Sequence, residues 1–354
     1  MGKKRCLILY VFAICLLTAI ILPSLASTSF AETYNLTFAT FRPPTDAFAE
    51  PWLIPMAKEL EKRSDGRVKM TIYWAEALGK GRDQFRMVKD GVADVTDFPG
   101  VWMPGKFTLS EVASLPMAAE DPLNVVRAMS MVAEKGYFDK QWGEVKVMGW
   151  VATTNLNLLF RKNKPETLEE MAGLKARAAG GYISEFIEAL GMVPVQVLPP
   201  DAYMAWQTGI VDVWVHPITA IVKYKFTELP TKALLDMNLG VLGNSAMIMN
   251  KKKFASLPPD LQKVVSEVLA EYSEVYVKEA LKCDKANVKV VKKAGIDIYK
   301  LSKAETAKIK AKALPIWEKY IADMEKQGLP GREVANEFVK ALKKLGEEPP
   351  YSIK

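Results

Sequence analysis

Apolar and polar residues alternate through Tyr34-Asn-Leu-Thr-Phe-Ala-Thr40, the period of a half-buried strand. Ala49, Trp52, Leu53, Met56, Ala57 and Leu60 then recur at helical spacing. Asp65-Gly66 turns the chain into a second strand over 68–73. The pattern goes on to predict a helix over 84–90, a strand over 92–98, a helix over 121–134 and a strand over 145–151. This β-α-β-α-β order implies a largely parallel, doubly wound sheet and an α/β fold.

A second round starts near Leu156. Strands are predicted over 156–161, 174–178, 193–197 and 210–215, with helices over 183–190 and 200–208. Segments 234–242 and 245–250 read as strands returning to the first sheet. Pro258-Pro259-Asp260 opens a helix with apolar positions from Leu261 to Tyr276. It runs without a breaker to Lys293 and stops at Gly295. At 1.5 Å per residue it is about 50 Å long, enough to brace two lobes. A short strand over 296–301 and helices over 303–327 and 331–345 close the chain.

The first thirty-one residues follow none of these patterns. Lys3, Lys4 and Arg5 precede an almost unbroken apolar run from Leu7 to Leu22, and Ser29-Phe30-Ala31 supplies small residues at −3 and −1. That is the pattern of a secretory signal peptide cleaved after Ala31, and it points to a periplasmic protein. The run is short for a membrane span of about 20 residues. Ile14 before Cys15 does not suit a lipoprotein signal.

Cleavage after Ala31 would change the charge and cysteine count. The 354 residues hold 48 Lys and Arg against 41 Asp and Glu, a charge of +7. Three basic residues lie within 1–31, so 45 against 41 remain and the charge falls to +4. This excess is too small and dispersed to argue for a nucleic-acid partner. Of three cysteines only Cys283 survives cleavage, so no intrachain disulfide forms. One histidine, His216, and no CxxC pair exclude His-rich or thiolate metal sites, and no cofactor is expected. No GxSxG frame surrounds a serine, and Gly79-Lys80-Gly81-Arg82 lacks P-loop spacing. The chain is not read as an enzyme.

Arg177 stands apart from the other cations. It ends a short apolar strand and precedes Ala-Ala-Gly-Gly. Ligands of open α/β sheets bind outside the carboxyl ends of strands. A guanidinium fork suits a bidentate carboxylate. An interlobe salt bridge satisfies the same residue equally well, so both roles stay open on spacing alone.

Gly173-Leu-Lys-Ala-Arg177, Ala189-Leu-Gly-Met-Val-Pro194 and Tyr203-Met-Ala-Trp-Gln-Thr-Gly-Ile-Val-Asp212 resemble the core of TRAP-transporter solute-binding proteins, the dicarboxylate-binding type. The matching family patterns are GLKxR, LGxxPV and YxALQxGxVDG. Gly66-Arg67-Val68 with Leu78-Gly79, Gly91-Val-Ala-Asp94, Leu115-Pro116, and Met249-Asn250 with Leu257-Pro258 and Gln262 extend the match in order along the chain. The resemblance implies a two-lobed periplasmic-binding-protein fold (type II-like) with a long helix bridging both lobes. Lobe I would comprise 32–154 plus 243–284, and lobe II 155–242 plus 285–354. It implies capture of a small organic acid in the interlobe cleft, with Arg177 clamping the carboxylate, and delivery to TRAP membrane permease subunits. A binding protein of another (ABC-type) transporter and an exported enzyme on a similar fold are the alternatives.

Departures from the pattern shape the expected ligand. Trp206 replaces a Leu and Val213 a Gly. Sialic-acid-type members carry a second Arg twenty residues before the first, where this chain has Asn157. Members that bind a 2-oxo acid with a metal carry Glu where this chain has Val215, so no metal is expected. His216 falls where relatives often place a cleft Asn; packing under its strand is the other role open to it. Phe41, Arg42, Phe98, Trp102 and Trp214 lie near predicted strand ends and complete the candidate site, although each could equally be core or rim. Together they suit an apolar or aromatic monocarboxylate. Arg42, as a second cation, keeps a dicarboxylate open.

Overall fold

The computed structural model describes residues 32–46, 49–197 and 201–352. The proposed leader lies outside the described residues. Eleven strands occur among those described: β1 (Tyr34–Ala39), β2 (Val68–Tyr73), β3 (Val95–Pro99), β4 (Lys146–Val151), β5 (Asn157–Phe160), β6 (Lys175–Arg177), β7 (Val193–Val195), β8 (Val213–His216), β9 (Ala233–Leu235), β10 (Ser245–Met249) and β11 (Asp297–Tyr299). They form two sheets, one ordered β2-β1-β3-β10-β4 and the other β11-β9-β5-β8-β6-β7. Each sheet is the centre of one α/β lobe.

The sheets are mixed, not largely parallel. β1 pairs parallel with β2 and β3, but β10 runs antiparallel between β3 and β4. β5 is likewise antiparallel to β8 and β9. The reversal follows from connectivity. The chain leaves the first sheet after β4, builds the second, and re-enters the first from the opposite direction.

Two connectors therefore run side by side between the lobes. The Leu156 N–H donates to Gly240 O at 2.8 Å, the Leu239 N–H to Leu156 O at 3.0 Å, and the Thr153 N–H to Leu242 O at 3.2 Å. The strand predicted over 234–242 proves to be two things. Its first residues belong to β9, in the second sheet rather than the first. The rest is this connector: the Asn238 side chain accepts from the Gly240 N–H, and Gly240 takes a φ of +121°, which a strand residue with a side chain rarely adopts.

The helix Pro259–Lys293 spans 35 residues without a break. It packs on the helix Ala49–Arg63 and on β4 of the first lobe, and on Thr219–Lys223 of the second, so it braces both. Its close approach to β4 depends on Gly149: a Cβ at that position would run into the Ser273 side chain and stand 3.3 Å from Ala270 Cα. The single helix predicted over 303–327 is two, Lys303–Ala311 and Ala313–Lys326. Pro315 has no N–H for the Ala311 carbonyl, which removes the bond that would carry one helix through. The last helix, Gly331–Lys344, packs on Pro122–Ala133 over the first sheet, whereas β11 pairs in the second, so residues 285–354 touch both lobes.

Candidate functional site

Strand ends from both sheets meet at one cavity of about 350 Å³ between the lobes. Phe41 and Arg42 follow β1, Asp97 and Phe98 lie in β3, and Trp102 follows it. Arg177 ends β6 and His216 ends β8. Small-molecule sites are typically about 300–1,000 Å³, so the space suits a compact ligand.

Arg177 is 6% exposed. Its Nε donates to Val197 O at 3.2 Å, while Nη1 is buried without a hydrogen-bond partner. Trp214 is its register partner on β8, and the guanidinium carbon lies 5.0 Å from that ring's centroid. No carboxylate among the described residues forms an ion pair with Arg177. Burial pushes its pKa down from the ordinary guanidinium value, against a smaller upward effect of Tyr224. Among the described residues Arg177 therefore makes no interlobe salt bridge, the other role its sequence position left open.

Arg42 has the opposite environment. Its Nε donates to Asp97 Oδ2 at 3.1 Å, Nη2 to the Tyr276 hydroxyl at 3.1 Å, and Nη1 lies 3.7 Å from Asp46 Oδ2. The guanidinium also sits over the Phe41 ring at 4.7 Å. Burial alone would lower its pKa, but Tyr276, Asp97 and Asp46 outweigh burial and raise it. Asp97 also accepts from the Thr40 hydroxyl, and burial pushes its carboxyl up while Arg42 pulls it back. Lys223 reaches across from the second lobe and donates to Asp46 Oδ2 at 2.7 Å. Burial, and then the Arg42 charge, lower its pKa.

His216 lines the same cavity, with its Nδ1 buried and unpartnered. Its pKa falls well below the usual histidine value, first because of burial and then because of the Arg177 and Lys223 charges. The imidazole is therefore neutral at neutral pH. Its ring meets Tyr224 edge-on at 5.9 Å. Phe41 and Trp102 pack edge-to-face at 4.8 Å, and Phe98 stands behind Trp102 at 6.2 Å. These rings give the cavity an aromatic, apolar side.

Of the predicted residues, Arg177, His216, Phe41, Arg42, Phe98 and Trp102 line the cavity. Trp214 is 1% exposed and lies behind Arg177 as its shelf; its Nε1 has no partner. Asn157 is outside the lining. Its Nδ2 donates to Asn155 O, and its Oδ1 accepts from the Met237 N–H, which joins the two connectors. Sequence reasoning missed Asp97, Lys223, Tyr224 and Tyr276. A charged residue inside the apolar strand of β3 was a legible sign of a paired buried group. Tyr276 carried no such sign, because its position fits the core face of the long helix.

Beneath the cavity, Asp284 of the long helix holds both lobes. It accepts from the Thr219 N–H at 2.6 Å and from the hydroxyls of Thr219 and Thr154. Among the described residues no cluster of three or more His, Cys, Asp or Glu is placed to hold a metal. No described helix is long and apolar enough to cross a membrane.

Two α/β lobes thus meet at a cleft walled by strand ends, a two-lobed binding-protein-like architecture. A TRAP solute-binding protein from Rhodoferax ferrireducens, solved with copurified benzoate, superposes with a TM-score of 0.82 over 89% of this chain and 99% of that one, at 22% identity. The chain belongs to the bacterial extracellular solute-binding protein family 7, whose family model matches residues 43–323. That family is the TRAP solute-binding family, which separates the chain from binding proteins of other transporter classes. It is 26% identical over 258 residues to a solute-binding protein of Albidiferax ferrireducens, covering 70% of this chain and 73% of the other. It is 27% identical over 219 residues to the C4-dicarboxylate-binding periplasmic protein DctP of Rhodobacter capsulatus, covering 60% and 64%.

Proposed function

We propose that this chain captures a small organic acid between its lobes, holds the carboxylate on Arg177, and hands the acid to the membrane subunits of a TRAP transporter. The observation that carries this reading is Arg177 itself: a buried guanidinium with no acidic partner among the described residues and an unpartnered Nη1. A buried charge left unpaired is costly, and an anion that enters with two oxygens removes that cost. Guanidinium and carboxylate match in planar, bidentate geometry. His216, neutral at neutral pH, adds a hydrogen-bonding group without adding charge. Phe41, Trp102 and Tyr224 offer an apolar surface for the body of the acid.

TRAP solute-binding proteins are periplasmic, and export through the apolar 7–22 segment belongs to this reading. Lobe closure on the ligand follows as a two-state equilibrium biased by contacts that only the closed form makes. The test is a thermal-unfolding screen against a panel of carboxylates and uncharged analogues. Acids at 100 times their Kd stabilise the folded state by about 2.7 kcal/mol, so binders raise Tm by several degrees. A panel in which the amides and alcohols shift Tm as much as the acids would sink the proposal.

A further inference from the structure

Three basic side chains line the inner cavity, and two of them are already neutralised. Arg42 is held by Asp97 at 3.1 Å and stands 3.7 Å from Asp46. Lys223 is held by Asp46 at 2.7 Å. Asp46 and Asp97 have side chains only 1% and 5% exposed, so water does not screen them effectively. Arg82 also borders the cavity but is exposed to solvent, where its charge is hydrated. Arg177 has no acidic partner among the described residues.

We infer that Asp46 and Asp97 are specificity-determining residues that restrict this cavity to singly charged acids. The count of charges is the reason. Two carboxylates offset Arg42 and Lys223, and one bound carboxylate offsets Arg177. A second ligand carboxylate would enter beside two buried like charges and find no unneutralised buried cation. Rejection by an uncompensated buried charge discriminates far more sharply than a difference in shape. Asp46 has a further consequence, because it belongs to the first lobe and Lys223 to the second. The contact that neutralises Lys223 therefore also bridges the cleft. This inference rests on Arg177 as the carboxylate anchor.

The experiment is a calorimetric comparison of benzoate with the three benzenedicarboxylates, and of butyrate with succinate. The three aromatic isomers place the second carboxylate at different separations from the first. Wild type is expected to prefer each monoacid over its diacids by about a hundredfold. Asp46→Asn, which releases Lys223, is expected to narrow that ratio at least tenfold for one or more diacids. The double variant Asp46→Asn with Lys223→Met is expected to restore it. Asp97→Asn, which releases Arg42, tests the same balance independently, so a misfolded Asp46→Asn does not end the test. The ratio is read rather than the affinity, which cancels any general weakening from loss of the interlobe contact. Diacids bound by wild type as tightly as monoacids would overturn the inference. So would variants that bind the monoacids and keep the wild-type ratio, and in that case Arg177 as anchor would stand. Failure of wild type to bind any carboxylate would instead remove the Arg177 reading, and this inference with it.

Discussion

Arg177 and Trp214 face each other on adjacent strands, and the guanidinium carbon lies 5.0 Å from the indole centroid. The pairing explains how a buried cation keeps a fixed orientation with no described carboxylate paired to it. The ring's negative face attracts the guanidinium, and the Val197 carbonyl holds Nε. Trp214→Leu removes the shelf while keeping an apolar side chain. Ligand affinity should fall about thirtyfold, since a desolvated cation–π contact is worth about 2 kcal/mol. Trp214→Phe should retain most of it. Titration calorimetry on the two variants checks this, and a Leu variant with wild-type affinity would show that the ring does not position the guanidinium.

Asp284 ties the long helix to Thr154 on one connector and to Thr219 in the second lobe. Asp284→Ala leaves a buried N–H and two hydroxyls without their acceptor. The expected loss is about 2–3 kcal/mol in urea unfolding. An Asn at this position keeps an acceptor oxygen and should recover part of the loss. Equal losses in both variants would argue against the hydrogen bonds as the cause.

Glu111 contributes a pH dependence. Burial, and then the Glu185 charge, push its carboxyl up to about 7 from an ordinary 4.5. The folded protein therefore holds a proton that the unfolded chain has already released between about pH 4.5 and 7. Stability from this group is fully present below 4.5 and declines as pH rises to 7, by on the order of 3 kcal/mol at most. Glu111→Gln should lack the decline and gain on wild type at pH 8 relative to pH 5. His216, with its folded pKa depressed, acts with the opposite sign, losing stability as pH falls below 6.5. The variant-minus-wild-type difference isolates Glu111. Parallel pH curves for the two proteins would contradict the account.

Gly149 allows β4 and the long helix to approach closely, since a Cβ there meets the Ser273 side chain. Gly149→Ala should cost about 1–3 kcal/mol through overpacking. Adding Ser273→Gly should recover much of it, because the obstructing side chain is then gone. Thermal unfolding of the single and double variants gives the answer, and a neutral Gly149→Ala would mean that the two elements move apart without cost.

The periodic pattern was a good guide to elements because it reports burial directly. It located β2, the helix Gln84–Asp90 and the 35-residue helix within a residue or so. It failed where strand direction mattered, because alternation is identical in parallel and antiparallel strands; β5 and β10 had to be seen to be oriented. It also overran at 234–242, where Leu239 and Val241 are buried against a connector rather than in a sheet. The candidate lining was legible where a residue ends a strand, as Arg177 and His216 do, or closely follows one, as Phe41 and Trp102 do. Which charges pair with which was not legible. Arg42 reads as an available second cation until Asp97, fifty-five positions along, is placed 3.1 Å away. Nothing in the sequence marks Lys223 as the partner that Asp46 of the other lobe meets at 2.7 Å.

The most direct test of the central claim is calorimetric titration of wild type and Arg177→Ala. The probes are benzoate and the acid recovered by mass spectrometry from freshly purified protein. Wild type should bind saturably and the variant should lose at least thirtyfold in affinity, with the fold intact by circular dichroism. An Arg177→Ala variant that binds these acids within threefold of wild type would contradict it.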